Sequence, residues 1–326
     1  MQRVFEIMKD KAEKLLADGT VDKVLAWKQG EFFYDPTPAL FTKDNMEGFT
    51  YDSFCGSNLT KYLVRETKGD EKILAFLKPC DTYSINQLIK EHRIKRDNIT
   101  IVGISCNGKL DIDKIKAMGI KGIESIEDDG KTLKISTLYG EKTVDRNEVL
   151  LDKCLCCKGK KHVAADEIIG EEIETPTQDR FDMVAKLEAM TPDERFEFWR
   201  NELSKCIRCN ACRNVCPACT CTTCVFDNNN SGVASKANTD TFEENMYHII
   251  RAFHVAGRCT DCGECSRVCP QNIPLHLLNR KFIKDINGFY GEYQAGAEVG
   301  SRAPIVNYTT EDLEPGEAVE RGGEDA

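Results

Sequence analysis

No run of apolar residues in this chain approaches the ~20 that a membrane-spanning helix needs. Its first segment, Met1 to Asp18, mixes charges with apolar residues at helical spacing. It lacks the uninterrupted apolar core of a secretion signal. The expectation is a cytoplasmic protein with no membrane span. There is no glycine-rich phosphate loop, no His-Glu-x-x-His pair and no recognisable Ser/His/Asp triad, so nothing points to hydrolysis. Positive charge is in short supply too. Forty-four Lys and Arg face 54 Asp and Glu, a formal net charge of -10. That balance argues against nucleic acid as the main partner, because phosphate binding needs an excess of cations.

Cysteine is what the chain has in excess, with 17 among 326 residues. A secreted chain would pair them as disulfides. Here the spacings are those of metal ligands, which suits a reducing, anaerobic compartment. The length accommodates two or three domains, each with its own core.

From Gln2 to Glu174 the pattern alternates between helix and strand. Helices are predicted at 2–18, 58–65, 84–91 and 112–118. Strands are predicted at 21–27, 72–77 and 99–104, with a third buried strand at 120–126. Residues 30–56 read as loop. Lys131–Ile135 and Glu141–Val144 alternate like an edge hairpin. Such alternation implies an α/β domain with a mostly parallel sheet covered by helices.

The pattern then changes. Residues 179–189 and 192–203 read as helices, the second opened by a Thr191/Glu194 capping box. Further helices are predicted at 243–256 and 275–285. Asn228-Asn229-Asn230 and Gly232 mark a loop. The organisation expected is an α/β domain over 1–175, a helical linker over 176–204, a helical cysteine-rich domain over 205–290 and a tail over 291–326. That tail holds nine acidic side chains against two arginines. Its composition predicts an extended segment, either disordered or draped over a neighbour.

Two cysteine runs repeat each other. Cys206, Cys209, Cys212 and Cys216-Pro217 have spacing x2, x2, x3, and so do Cys259, Cys262, Cys265 and Cys269-Pro270. A tight loop of this kind sets three thiolates on three irons of a cubane, while the fourth serves the other cluster. The prediction is therefore crossed. Cys206, Cys209, Cys212 and Cys269 hold one 4Fe–4S cluster, and Cys259, Cys262, Cys265 and Cys216 hold another. Zinc knuckles do not need the duplicated x3-Cys-Pro ending. The long interval between the runs resembles the alpha-helical ferredoxin domain of heterodisulfide reductase small subunits and succinate dehydrogenase iron–sulfur subunits, over roughly Lys205 to Ile286. That resemblance implies a two-cluster electron relay.

In the first half, Cys80 and Cys106 each follow a predicted buried strand. Consecutive parallel strands share a carboxyl edge, where open sheets bind ligands. Cys154, Cys156 and Cys157 come next, followed by the lysine-rich Lys158–Lys161, whose charge would favour thiolates. Lys78-Pro79-Cys80-Asp81, Gly103-Ile104-Ser105-Cys106, the Cys154-x-x-Cys157 pair and Ala164-Ala165-Asp166-Glu167-Ile168-Ile169-Gly170 stand in an informative order. Over about Tyr51 to Glu172 they resemble the beta-subunit family of deazaflavin-reducing hydrogenases and formate dehydrogenases. The resemblance implies an iron–sulfur cluster, placed here on Cys80, Cys106, Cys154 and Cys157, and often FAD. Cys156 is extra to the matched pair. Small buried hydrophobes are the competing reading of Cys80 and Cys106.

Cys219, Cys221 and Cys224 follow the first run as Cys-x-Cys-x-x-Cys. With a fourth partner, Cys55 or Cys156, they would make a further metal site, iron–sulfur or zinc. His248 and His254 sit on an apolar helix and read as packed. The function expected is an iron–sulfur electron-transfer subunit of an anaerobic multi-subunit oxidoreductase. The settings are formate dehydrogenase, hydrogenase and heterodisulfide-reductase-like bifurcating complexes. It would relay electrons between a flavin- or metal-containing catalytic subunit and another carrier such as ferredoxin. The alternatives are a self-sufficient flavin and iron–sulfur reductase of a small molecule or dinucleotide, and a metal-stabilised scaffold without redox role.

Overall fold

The computed structural model describes residues 1–159, 161–171, 178–228 and 241–305. Helix α1 (Gln2–Ala17) buries Met8, Ala12 and Leu16, one stripe at i, i+4 and i+8. Strand β1 (Lys23–Lys28) follows, flanked antiparallel by β2 (Thr37–Phe41) and β3 (Phe49–Thr50). Both of these strands lie in the segment read as loop. Pro38 sits opposite Trp27 on β2, the outer strand, where its missing N–H costs no ladder bond.

After α2 (Thr60–Glu66), strand β4 (Ile73–Leu77) runs parallel to β1, with all five of its residues buried. A continuous apolar run of this kind belongs to a strand covered on both faces. Helix α3 (Pro79–Lys90) begins five residues before its predicted start. Pro79 is preset for the first helical position. Asp81 accepts from the Lys78 amide at 3.2 Å and pairs with the buried Lys78 ammonium at 2.9 Å. Cys80 therefore stands in the first turn of a helix. Strand β5 (Ile99–Ile104) pairs parallel with β4.

The strand predicted at 120–126 forms, but outside the parallel sheet and not buried on both faces. Beyond α4 (Ile112–Ala117), strand β6 (Ile123–Asp128) leaves the parallel sheet. It pairs antiparallel with β7 (Thr132–Thr137), which pairs with β8 (Gly140–Asp145). The reason is visible in Ile-Glu-Ser-Ile-Glu-Asp, which offers apolar groups too sparsely for burial on both faces. Leu110, Ile115, Leu133, Ile135 and Leu150 close a separate small core there. A short helix α5 (Asp152–Leu155) leads to β9 (Glu167–Ile169), which adds to β5 in parallel and completes the main sheet.

The second half is helical among the described residues. It contains α6 (Asp182–Ala189), α7 (Pro192–Leu203), α8 (Ala211–Asn214), α9 (Thr241–Val255), α10 (Glu264–Arg267) and α11 (Leu275–Tyr290). The capping box at Thr191 and Glu194 is formed, at 2.9 and 3.3 Å. Helices α6 and α7 are more than a linker: Val184 and Leu187 share a core with Leu277, and Leu203 shares one with Ile273 and Leu275.

The described part of the tail, 291–305, folds back on its own chain. The Tyr293 hydroxyl donates to the Gly257 carbonyl at 3.2 Å, and Lys90 donates to Ser301 at 3.2 Å. Residues 306–326 and most of the predicted 228–232 loop lie outside the described residues. Among the described residues, no helix is long and apolar enough to cross a membrane.

Candidate iron–sulfur centres

The two cysteine runs fold alike. In each, the second residue after the first cysteine and the residue after the second cysteine have left-handed backbone: Arg208 and Asn210 in one, Asp261 and Gly263 in the other, with φ of 53°, 62°, 54° and 68°. A chain that alternates handedness turns successive amides inward and makes a concavity for anions. The Arg208 N–H accordingly donates to Cys206 Sγ, and the Asp261 N–H to Cys259 Sγ, each at 3.4 Å. The third cysteine of each run then sits on a one-turn helix, α8 or α10.

Cys206, Cys209, Cys212 and Cys269 line one cavity, with Tyr247 and His248 on its wall. The Cys212 thiol is pushed up by burial, with Arg251 opposing and Cys206, Cys269 and Cys209 adding. Cys216 is turned away from that group. It is the shared neighbour of Cys259, Cys262 and Cys265. Burial raises Cys259 to about 12, with help from Asp261 and Cys216. It raises Cys265 to about 11, against Arg251 and with help from Cys216. Burial, Glu264 and Cys216 hold Cys262 well above the ordinary thiol range.

The third gathering lies at the carboxyl edge of the main sheet. The Cys80 and Cys157 thiols share a hydrogen bond, which together with burial and Asp81 keeps Cys80 protonated. Cys154 is pushed up to about 11, by burial first, with Lys153 opposing and Cys106 and Cys80 adding. Its sulfur accepts from the Lys109 amide at 3.4 Å. The loop of Cys157 lies directly on the start of α3, since a Cβ on Gly159 would stand 2.8 Å from the Cys80 nitrogen. Cys156 faces elsewhere. It accepts from Arg280 Nη1 at 3.0 Å and donates to the Asp152 carbonyl at 3.3 Å.

The predicted lysines divide. Lys153 sends its ammonium to Glu264 and to the Gly56 carbonyl, the latter at 2.6 Å. Lys158 is buried, held down by desolvation, and faces Asp261, Cys259 and Cys262 rather than its own neighbours. Its ammonium lies 4.9 Å from the Tyr83 ring centre and has no hydrogen-bond partner among the described residues. Lys161 is exposed, and Lys160 lies outside the described residues. Cys55 is fully buried beside Asp52, its sulfur accepting from the Asp52 amide at 3.3 Å.

The donor chemistry fits four-iron clusters. Buried thiols held at about 11 or 12 become thiolates only when cationic charge reaches them. Among the described residues, no three Cys, His, Asp or Glu side chains converge as a single metal ion requires. Orphaned polar groups point the same way. Both nitrogens of His248 are buried without hydrogen-bond partners among the described residues, and so is Arg251 Nε. His248 is held neutral, its basicity lowered to about 3 by burial, Arg251 and Arg208.

Sequence reasoning left His248 as packing and passed over Arg251. The signal was present. Tyr247, His248 and Arg251 recur at i, i+1 and i+4 in the otherwise apolar stretch of α9, and a lone arginine there needs a counter-charge.

A family profile described as "4Fe-4S dicluster domain" matches residues 202–273. The F420-dependent formate dehydrogenase subunit beta of Methanocaldococcus jannaschii is 27% identical over 330 aligned residues, spanning 83% of this chain and 86% of that protein. The F420-dependent formate dehydrogenase 1 subunit beta of Methanococcus maripaludis is 25% identical over 342, spanning 83% and 87%. Putative ferredoxin-3 of Sinorhizobium fredii is 33% identical over 79 residues, spanning 24% of this chain and 75% of the ferredoxin. A chain of the F420-reducing NiFe hydrogenase complex of Methanosarcina barkeri aligns with a TM-score of 0.35 and 15% identity, over 45% of this chain and 56% of its own.

Proposed function

We propose that the chain, similar over 83% of its length to beta subunits of F420-dependent formate dehydrogenases, is the iron–sulfur electron-transfer subunit of an anaerobic oxidoreductase complex. It works in the cytoplasm, in contact with a flavin- or metal-containing catalytic subunit. Three four-thiol sets carry 4Fe–4S clusters: Cys80, Cys106, Cys154 and Cys157; then Cys216, Cys259, Cys262 and Cys265; then Cys206, Cys209, Cys212 and Cys269. The second half is of the helical ferredoxin kind. The clusters supply reversible one-electron storage.

The observation that carries this reading is the pair of cations that lie between neighbouring sets. Lys158 directly follows Cys157 of the first set and faces Cys259 and Cys262 of the second. Arg251 faces Cys265 and Cys216 of the second set and Cys212 of the third. Arg251 offsets thiolates of two sets at once, and Lys158 ties the loop of the first set to the thiols of the second, which supports a contiguous series of three. At one end Cys209 is exposed and Ile207 is 59% exposed, which makes the third set the transfer point to a partner. No residue is assigned to the flavin that the family resemblance implies.

The test uses the full chain, reconstituted with iron and sulfide without oxygen. Cys80→Ser and Cys157→Ser should each hold about four fewer irons than the wild type, one cubane. Iron contents equal to wild type would make those thiols structural and remove the first set from the relay. Native size measurement on anaerobic extract checks the assembly. A fully active 36.7 kDa monomer would refute a subunit role.

A further inference from the structure

Of the five cysteines outside the relay, three stand together. Cys219, Cys221 and Cys224 all line a cavity of about 360 Å³ beside the second set. Neither Cys55 nor Cys156, the predicted fourth partners, lines it. Cys219 shares a hydrogen bond with Cys216, so the cavity meets the second set at two adjacent sulfurs.

The rest of the wall is cationic. Lys61, Arg213, Arg251 and Arg258 face the cavity, and among the described residues Asp227 is the one acidic side chain on its wall. Arg213 is paired with Asp227 at 2.7 Å and bonds the Cys224 thiol. Arg258 is paired with Glu91 at 2.8 Å. Lys61 and Arg251 have no carboxylate partner among the described residues. Lys61 donates to the Cys219 carbonyl, and Arg251 donates to the Cys212 carbonyl at 3.1 Å. Arg251 is 3% exposed, and its Nε is orphaned. Lys61 is half-buried, and a cation partly withdrawn from water without a carboxylate partner is costly. The cavity is thus built for an anion that also takes thiolates.

We propose that Cys219, Cys221 and Cys224 bind a further iron–sulfur cluster in this cavity. A cluster with thiolate ligands is anionic and would add counter-charge for Lys61 and the rest of the cationic wall, beyond the thiolates of the second and third sets that Arg251 already faces. A single zinc ion fits poorly, because the three thiols do not converge as an ion requires. The volume also exceeds the roughly 30 Å³ share of one water about tenfold. His254, also on the wall, is the side chain able to take the corner left by three cysteines. The proposal stands independently of the relay order.

The test compares full-length wild type with Cys221→Ser and Cys224→Ser after anaerobic reconstitution, reading iron, acid-labile sulfide and zinc per chain. Cys221 is exposed, so its substitution leaves packing alone and keeps the test valid if Cys224→Ser fails to fold. The expected result is a loss of about four irons and four sulfides in each variant. The paramagnetic signals abolished by Cys80→Ser and Cys269→Ser should persist in both. Iron and sulfide equal to wild type in Cys221→Ser would overturn the proposal. So would one zinc per chain lost in place of iron. Inorganic phosphate that binds both variants and wild type equally, with unchanged iron, would mark the cavity as an anion pocket and also overturn it.

Discussion

Lys153, the residue before Cys154, is ion-paired to Glu264, the residue before Cys265, and both side chains are buried. The pair fastens the sheet domain to the cysteine-rich half beside two of the thiol sets. Glu264 also takes two bonds from Arg267, at 2.8 and 2.9 Å. Its carboxyl is held far below the usual carboxylate range, with burial opposed by Arg267 and Lys153. Removing it leaves the buried Lys153 ammonium facing the half-buried Arg267 guanidinium with no carboxylate between them. Glu264→Ala should therefore destabilise the full chain by about 3–5 kcal/mol. Anaerobic denaturant titration measures this, and a loss under 1 kcal/mol would mean that the halves are held by other contacts.

The equivalent backbone positions Asn210 and Gly263 give a second prediction. Both are left-handed, which asparagine tolerates and glycine adopts freely. Asn210 uses its side chain to accept from the Tyr247 hydroxyl at 2.9 Å. At Gly263 a Cβ would overlap that of Lys153. Gly263→Asn should lower the melting temperature and the iron bound by the second set. Asn210→Gly should change stability by about 1 kcal/mol or less beyond the lost hydrogen bond. Equal tolerance of both would show that the close approach to Lys153 is relieved cheaply.

Much of this was legible in the sequence because ligand spacing and apolar runs are local. Ile73–Leu77 and Ile99–Ile104 announce buried strands, and the twin x2, x2, x3 runs are visible as a repeat, from which the crossed ligand sets are predicted. Relations across the domain boundary left no local trace. Nothing near Lys158 says that it faces Cys259. The placement of β6 depends on which hairpin captures Ile126, a tertiary choice. The start of α3 was misplaced for a different reason. Asp81 and Thr82 are weak helix formers, and the buried Lys78–Asp81 pair that overrides this is visible only in three dimensions.

Cys216 belongs by sequence to the first run and by position to Cys259, Cys262 and Cys265. Cys216→Ser should alter the paramagnetic signal of the second-run cluster and leave that of Cys206, Cys209, Cys212 and Cys269 unchanged. Cys269→Ser should do the reverse. Potentiometric titration followed by electron paramagnetic resonance separates the two signals. The opposite pattern would refute the crossed assignment.

His248 supplies the last prediction. Its imidazole is buried on the wall of the cavity lined by Cys206, Cys209, Cys212 and Cys269, and neither nitrogen has a hydrogen-bond partner among the described residues. A buried polar group left without a bond costs roughly 1–3 kcal/mol, and the acceptor within reach of this cavity is sulfur. An N–H donated to a cluster sulfur stabilises the more negative, reduced state, which raises the reduction potential. His248→Phe keeps the ring's bulk and removes the donor, so the cluster should become harder to reduce. His248→Gln restores a donor and should recover part of the shift. Potentials measured for both variants in the same full-length chain check this, with the second-run cluster as internal reference. If His248→Phe leaves the potential unchanged while the melting temperature falls, the imidazole serves packing alone.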